Sequence, residues 1–281
     1  TDRSRGLGDV YKRQIGGGKM KIGNRVFENY TYVMAIVNLT PDSFWQGSRN
    51  TSDSVLYAVE RAVRDGASVI DLGPQSTRPG YTEISAEDEI ERFAKPLELV
   101  KRNFEVPVSV DTYFEKSAKV ALELGADMIN DIWGLTHDAG MAKTVAAYDA
   151  SICIMHNAKH PLSGDIWQPI QSFLASSVKL ALDAGIDRDK ICLDGGVGFA
   201  KDREQNWELV NGYDKLAGLG FPLLLGTSRK RMFEGDVADR LAPTVETTRQ
   251  AAKKGILFVR VHDVKENAQA IEEIYNGQNR N

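Results

Sequence analysis

From Val33 onward the chain alternates between short runs that are apolar throughout and longer stretches with an apolar residue at every third or fourth position. The short runs are "VMAIVN", "SVIDLG", "VPVSVDT", "MINDIW", "SICIMHN", "ICLDGG", "PLLLGTS" and "LFVRVHD", most bounded by Gly or Pro. Uninterrupted apolarity over four to eight residues marks strands buried on both faces, as in a parallel sheet. The longer stretches read as amphipathic helices. In "TSDSVLYAVERAVRDG" Val55, Val59, Ala62 and Val63 share one face, with Gly66 as the stop. "SAEDEIERFAKPLELVKRN" opens with Ser85 and Asp88 in capping-box spacing, Asp standing in for the usual Glu. "FEKSAKVALELGA", "PIQSFLASSVKLALDAG", "REQNWELVNGYDKLAGLG" and "TVETTRQAAKKG" follow the same period and mostly end at glycine, and "HDVKENAQAIEEIYNG" closes the chain. Ahead of all this, "KIGNRVFENY" has turn residues at its centre and predicts a hairpin closing one end of the domain.

Eight strands alternating with eight helical units, with no linker or shift in composition, predict an α/β chain folded as a single (β/α)8 TIM barrel over residues 20–281. The structural rival, an open doubly wound sheet, normally carries a glycine fingerprint after its first strand, and this chain has none there. The first nineteen residues, "TDRSRGLGDVYKRQIGGGK", show neither helical nor strand periodicity, and Met20 reads as a native start. They are set aside as an extension. Gly16, Gly17 and Gly18 follow no strand and precede no lysine-hydroxyl pair, so they do not read as a phosphate loop.

Composition narrows the class. With 42% apolar and 26% charged residues and a net charge of −4, the chain has no electrostatic case for nucleic acid or an anionic membrane. No apolar run nears the roughly eighteen residues of a membrane span, and the N-terminus lacks a signal-peptide core, so a cytoplasmic protein is expected. Cys153 and Cys192 each lie inside a strand-like run and read as small core residues of a reducing compartment. His156 and His160 are four apart, but Pro161 and the loop-like "NAKHPLSGD" deny them a shared helical face, which argues against a zinc pair.

The candidate chemistry lies where the strands end. Strand one finishes at Asn38, strand two carries Asp71 and runs to Gln75, strand three finishes at Asp111 and strand four at Asn130 and Asp131. Strand five ends at His156 and Asn157, strand six at Asp194, strand seven runs into Ser228, Arg229 and Lys230, and strand eight ends in Arg260, His262 and Asp263. In a parallel barrel these ends meet on one rim, where the βα loops build active sites. Asp71 or Asp131 alone reads equally well as a helix cap, but Lys230, Arg260 and His262 are poor caps, and a ring of eight is hard to explain by capping. Asp111, Asn130, Asp194 and Lys230 suit a flat heterocycle with donors and acceptors on its edge, such as an aminopyrimidinone paired to a carboxylate. Arg260 and His262 alternate along one strand, with Arg229 or Arg78 near, and form an anion site with the helix N-termini. Asn38 and Asp42 offer the hard oxygens that Mg²⁺ takes when it bridges a diphosphate.

These residues sit in motifs that resemble the dihydropteroate synthases of folate biosynthesis: "NLTPDSF", "STRPG", "VDT", "IND", "GTSRK" and "RVHDV", in order and in spacing over roughly residues 20 to 277. The resemblance implies a homodimeric barrel, a transferase that joins 6-hydroxymethyl-7,8-dihydropterin diphosphate to p-aminobenzoate, releasing diphosphate and 7,8-dihydropteroate. It implies that Asp111, Asn130, Asp194 and Lys230 hold the pterin, with Asp194, Lys230, Arg260 and His262 at the reacting centre. Asn38, Arg78, Arg260 and His262 would meet the diphosphate, and Asn38 the Mg²⁺. Thr77, Arg78, Pro79, Phe199, Lys230 and Arg231 would form the p-aminobenzoate site, the target of sulfonamides in this family. On this division, Asp111→Ala abolishes pterin binding and Arg260→Ala spares it.

The chain departs from the family pattern at several points. Gly195 stands where proline is usual and Ala200 where glycine is common; Trp45 and Gln46 replace small and acidic residues; Pro74 stiffens the approach to "STRPG"; Arg231 stands where serine is frequent. Most concern the second substrate more than the pterin. The rivals are a pterin-dependent methyltransferase on the same barrel, which has no diphosphate for "SRK" and "RVHDV" to receive, and a degenerate barrel that binds pterin without turnover.

Overall fold

The computed structural model describes residues 18–39, 51–75 and 82–278. The predicted hairpin is present as β1 (Met20–Ile22) and β2 (Arg25–Phe27), paired antiparallel. The eight barrel strands follow as β3 (Tyr32–Asn38), β4 (Ala67–Gly73), β5 (Val108–Asp111), β6 (Met128–Asp131), β7 (Ser151–Met155), β8 (Ile191–Asp194), β9 (Leu223–Leu225) and β10 (Phe258–Val261). All pair in parallel in sequence order, and β10 closes the ring against both β9 and β3. Between and after them run α1 (Thr51–Arg64), α2 (Ala86–Asn103), α3 (Glu115–Glu123), α4 (Met141–Ala147), α5 (Trp167–Asp183), α6 (Arg203–Asn211), α7 (Leu241–Lys253) and α8 (Val264–Gln278). Among the described residues no helix is long and apolar enough to cross a membrane.

The strands read as continuous apolar runs because each has two buried faces. One set, including Val33, Ala35, Ile70, Leu72, Ile152, Ile154, Leu193 and Val259, packs outward with the helices. The alternate set, Met34, Val69, Met128, Cys153, Cys192, Leu224 and Phe258, fills the lower interior. Met20, Ile22 and Phe27 of the hairpin join that interior cluster, and Lys21 O accepts from Ser151 Oγ at the start of β7, so the hairpin plugs the N-terminal end of the barrel. Full burial of such side chains contributes about 1.5–3 kcal/mol each, which holds a three-residue plug in place. Both cysteines belong to this layer, directly across from each other on β7 and β8 as free thiols.

Local signals behave as their chemistry directs, with three corrections. Ser85 caps α2: its Oγ accepts from Asp88 N at 3.1 Å and Asp88 Oδ2 accepts from Ser85 N at 3.2 Å. Asp202 and Gln205 form a second capping box on α6 that the sequence reading did not single out. On α1, Val55, Val59 and Ala62 are buried, but Val63 is 37% exposed because it falls at the edge of the apolar stripe. The stretch "REQNWELVNGYDKLAGLG" is two elements. Gly212 lies so close to the Trp167 ring that a Cβ would sit 2.6 Å from it, α6 stops at Asn211, and a 3-10 turn from Tyr213 to Leu219 follows. The helix between β6 and β7 is α4, only seven residues long, with Met141, Ala142 and Val145 buried.

Candidate active site

The alternation that puts Met34, Val69, Met128, Cys192 and Phe258 inside the barrel brings Asn38, Asp71, Asn130, Asp194 and Arg260 to the same interior face nearer the C-terminal rim. Carboxylates from two strands, β4 and β5, converge on Arg260 of β10. Its Nε donates to Asp71 Oδ2 at 2.7 Å and its Nη2 donates to Asp111 Oδ2 at 2.6 Å. Asp71 is fully buried and Asp111 nearly so, and the buried Oδ1 atom of each has no hydrogen-bond partner among the described residues. Two carboxylates therefore share one guanidinium. Burial raises the Asp111 pKa, and neighbouring Asp71 adds to the rise, although Arg260 opposes it. Burial works against the Arg260 charge, but the pull of Asp71 and Asp111 outweighs it and raises that pKa.

Asp194, on β8, has Oδ1 held by Gly196 N at 2.7 Å and by the Tyr213 hydroxyl at 3.1 Å. Its Oδ2 faces Gly226: a Cβ built there would lie 3.7 Å from Asp194 Oδ2, 3.9 Å from Arg260 Cβ and 4.0 Å from Lys230 Nζ. The missing side chain of "GTSRK" thus leaves the space between those three groups open. Burial raises the Asp194 pKa, with Lys230 and the Gly196 N–H working the other way. Lys230 donates to Val197 O, lies 4.9 Å above the Phe199 ring, and is lowered to about 8 by burial, against the pull of Asp194. Asn130 is buried at the end of β6, and no hydrogen bond within the described residues engages its side-chain amide.

The other predicted residues divide. His262 Nδ1 lies 2.9 Å from Ser228 Oγ, which also accepts from His262 N, so this imidazole is anchored at the rim beside Arg260. Arg229 is not part of the anion site: it is clamped by Asp263 through both Nε and Nη2, which fixes the turn of "SRK". Asp131 is a loop cap, its two oxygens accepting from Trp133 N and Leu135 N, while burial lifts its pKa to about 6. His156 is buried against Lys201 Nζ and pushed down to about 3 by burial, whereas His160 is exposed. Arg231 is exposed and makes no ion pair among the described residues. Asp42, Trp45, Gln46, Thr77, Arg78 and Pro79 lie outside the described residues. Pro74 lies inside them, buried, and its carbonyl accepts from Arg92 Nη1 at 3.0 Å.

Several groups escaped the sequence reading. Asp71 was visible only as a strand-end polar residue, and its partner lies 189 positions away. The helical period places Tyr213 on a helix, whereas it opens a 3-10 turn. Tyr113, Ile132 and Met155 form a small cluster with Phe114, Trp133 and Phe199, an apolar wall on the rim beside the polar ring. Met155 was signalled by its alternation with Cys153. Gly196 has φ +72 and its Cα lies so near His156 O that a Cβ would sit 1.9 Å away, so only glycine completes the turn that donates to Asp194.

A closed parallel barrel thus gathers at one rim two carboxylates on one arginine, an amide that no described residue engages, and a lysine against an aromatic ring. Residues 34–262 match the family described as pterin binding enzyme, which sets the class. A dihydropteroate synthase of Clostridium beijerinckii is 43% identical over 259 residues, spanning 89% of this chain and 96% of that protein. The crystal structure of a dihydropteroate synthase from Clostridium difficile in the presence of pteroic acid superposes with a TM-score of 0.86 at 40% identity, covering 89% and 97% of the two chains. That of the Xanthomonas albilineans enzyme with 4-aminobenzoic acid gives 0.88 at 32% identity, covering 92% and 98%. The chain belongs to the pterin-binding enzyme family and, within it, to the dihydropteroate synthases.

Proposed function

We propose that this protein joins 6-hydroxymethyl-7,8-dihydropterin diphosphate to p-aminobenzoate, releasing diphosphate and 7,8-dihydropteroate, as a cytoplasmic homodimer. The observation that carries the reading is Asp111: Oδ2 is held by Arg260, while the buried Oδ1 has no partner among the described residues. Such an acceptor is costly to leave unmet and suits the N–H groups of an aminopyrimidinone. The free Asn130 amide and Asp194 Oδ2 complement the remaining edge, and Met155, Ile132 and Phe199 supply apolar surface for the ring faces.

The family implies Mg²⁺, and the residues present fit it. Asn38 ends β3 half-buried with a neutral hard oxygen, and the described residues contain no group of three or more His, Cys, Asp or Glu side chains placed to hold a metal ion. A single protein oxygen, completed by water and phosphate oxygens, is the pattern Mg²⁺ accepts. When bound it neutralises charge on the departing diphosphate. The chain's own residues account for the rest. Cleavage of the methylene–oxygen bond places positive charge on the pterin methylene, beside Asp194, and negative charge on the diphosphate, beside Arg260 and His262. The arylamine nitrogen then attacks the methylene carbon, held in place by the Lys230–Phe199 face. Exposed Arg231, next to Lys230, offers a counter-charge for the p-aminobenzoate carboxylate, where the family more often has serine.

Calorimetric titration with the free pterin alcohol tests the central contact. Wild type binds it and Asp111→Ala does not; equal binding by both proteins would remove Asp111 from the site. Sedimentation at a mass near 31.0 kDa rather than its double would reject the dimer.

A further inference from the structure

We propose that Tyr213 is a positioning residue for Asp194, and that Gly195 is part of the same device. Tyr213 is 1% exposed and opens the 3-10 turn that follows Gly212. Its hydroxyl accepts from Gly195 N at 2.8 Å, lies 3.1 Å from Asp194 Oδ1 and also reaches Leu224 O. The phenol has one proton for two acceptors. Leu224 O, at 2.5 Å, is the nearer acceptor, and ionisation of Asp194 gives Oδ1, at 3.1 Å, a charge-assisted claim on the same proton. Tyr213 and Gly196 therefore occupy Oδ1 together and leave Oδ2 as the oxygen that faces Gly226 and Lys230.

Residue 195 has to be small and has to carry an N–H for this to work. A Cβ there would meet Leu209 Cδ1, Leu216 Cδ1 and Tyr213 Cε2, each at 3.1 Å. Proline, the residue the resemblance leads one to expect, has no N–H to give the phenol. What a rigid ring would provide at this turn is here provided by a hydrogen bond to Tyr213. The charged and titratable groups around Asp194 come from every neighbouring element: Lys230 after β9, Lys201 after β8, Arg260 on β10, and the Cys153 thiol beneath. Tyr213 contacts the carboxylate directly through Oδ1, the oxygen other than the one nearest Gly226.

The inference rests on Asp194 meeting the pterin, and its test separates the two claims. In Tyr213→Phe the ring packing stays and the hydroxyl goes. The expected result is a KM for dihydropterin diphosphate raised about tenfold, the worth of one hydrogen bond to a charged group. The KM for p-aminobenzoate changes less than about twofold. The acid limb of kcat/KM moves to higher pH, because Asp194 loses a bond that favours its charged form. Gly195→Ala, which keeps the N–H but pushes on the Tyr213 ring, gives the same signature and decides the matter if the phenylalanine variant does not fold. An unchanged pterin KM and acid limb, or equal losses for both substrates, would reduce Tyr213 to a packing residue. Wild type that neither binds the pterin alcohol nor turns over would overturn the functional reading itself, and this inference with it.

Discussion

Replacing Arg260 with methionine isolates the electrostatics of the site, because the side-chain volume is roughly kept while the charge shared by Asp71 and Asp111 is lost. Both carboxylates are buried, each accepts through one oxygen from Arg260, and among the described residues neither Oδ1 has a hydrogen-bond partner. Removing one partner of a buried pair costs about 3–5 kcal/mol, a large share of the roughly 5–15 kcal/mol that holds a domain together. The protein relieves part of that cost by protonation. Arg260 is the group that holds the Asp111 pKa down against burial, so in Arg260→Met that pKa rises further. A protonated Asp111 has lost an acceptor, and pterin binding weakens with it. The structure thus replaces the simple division of labour read from the motifs, in which Arg260→Ala spares the pterin. Urea unfolding should show a loss of about 3–5 kcal/mol, and calorimetry should show affinity for the pterin alcohol down at least about tenfold near neutral pH. Because the neutral form lies below the raised pKa, affinity in the variant should recover as pH increases. A variant that binds the pterin alcohol like wild type at every pH, and loses only diphosphate, would refute the coupling.

Lys230→Ala should raise the Michaelis constants of both substrates, since Lys230 lies against Phe199 on one side and near Asp194 on the other; a normal constant for either, in a steady-state assay, would overturn that placement. Gly226→Ala adds a methyl at ordinary contact distance from Asp194, Arg260 and Lys230, so the variant should keep its melting temperature and lose pterin affinity by about tenfold or more; unchanged binding would mean the heterocycle does not enter that space. Glu89 is buried, has Oε2 bound to Thr112 Oγ1, and burial raises its pKa to about 7. A raised carboxyl pKa gives stability that is present below the unfolded value of about 4.3 and lost as pH rises through about 7. Glu89→Gln should therefore gain on wild type between pH 5 and pH 8, by on the order of 3 kcal/mol, and parallel urea stabilities at the two pH values would contradict it.

The strands were legible because burial on both faces writes an apolar run, and the rim because a polar residue ending such a run needs a partner that packing alone does not supply. What stayed hidden depends on closure of the ring. Asp71 reads as a helix cap until β10 is seen beside β3, bringing Arg260 over it. Arg229 and Arg260 are equivalent as letters, but Asp263, two strand positions past Val261, claims the first and leaves the second to the interior. Tyr213 shares a helical period with its neighbours, and only the structure shows that the helix ends at Asn211 and that a 3-10 turn carries the buried phenol. Helix α4 is two turns long, too short for periodicity to stand out against the loops around it.

Turnover tests the account most directly: purified protein, dihydropterin diphosphate, p-aminobenzoate and Mg²⁺, with dihydropteroate followed by chromatography and diphosphate by a coupled assay. The expected result is both products in equal amounts, lost together in Asp111→Ala. Diphosphate without dihydropteroate, or a pterin bound with neither product formed, would contradict the assignment.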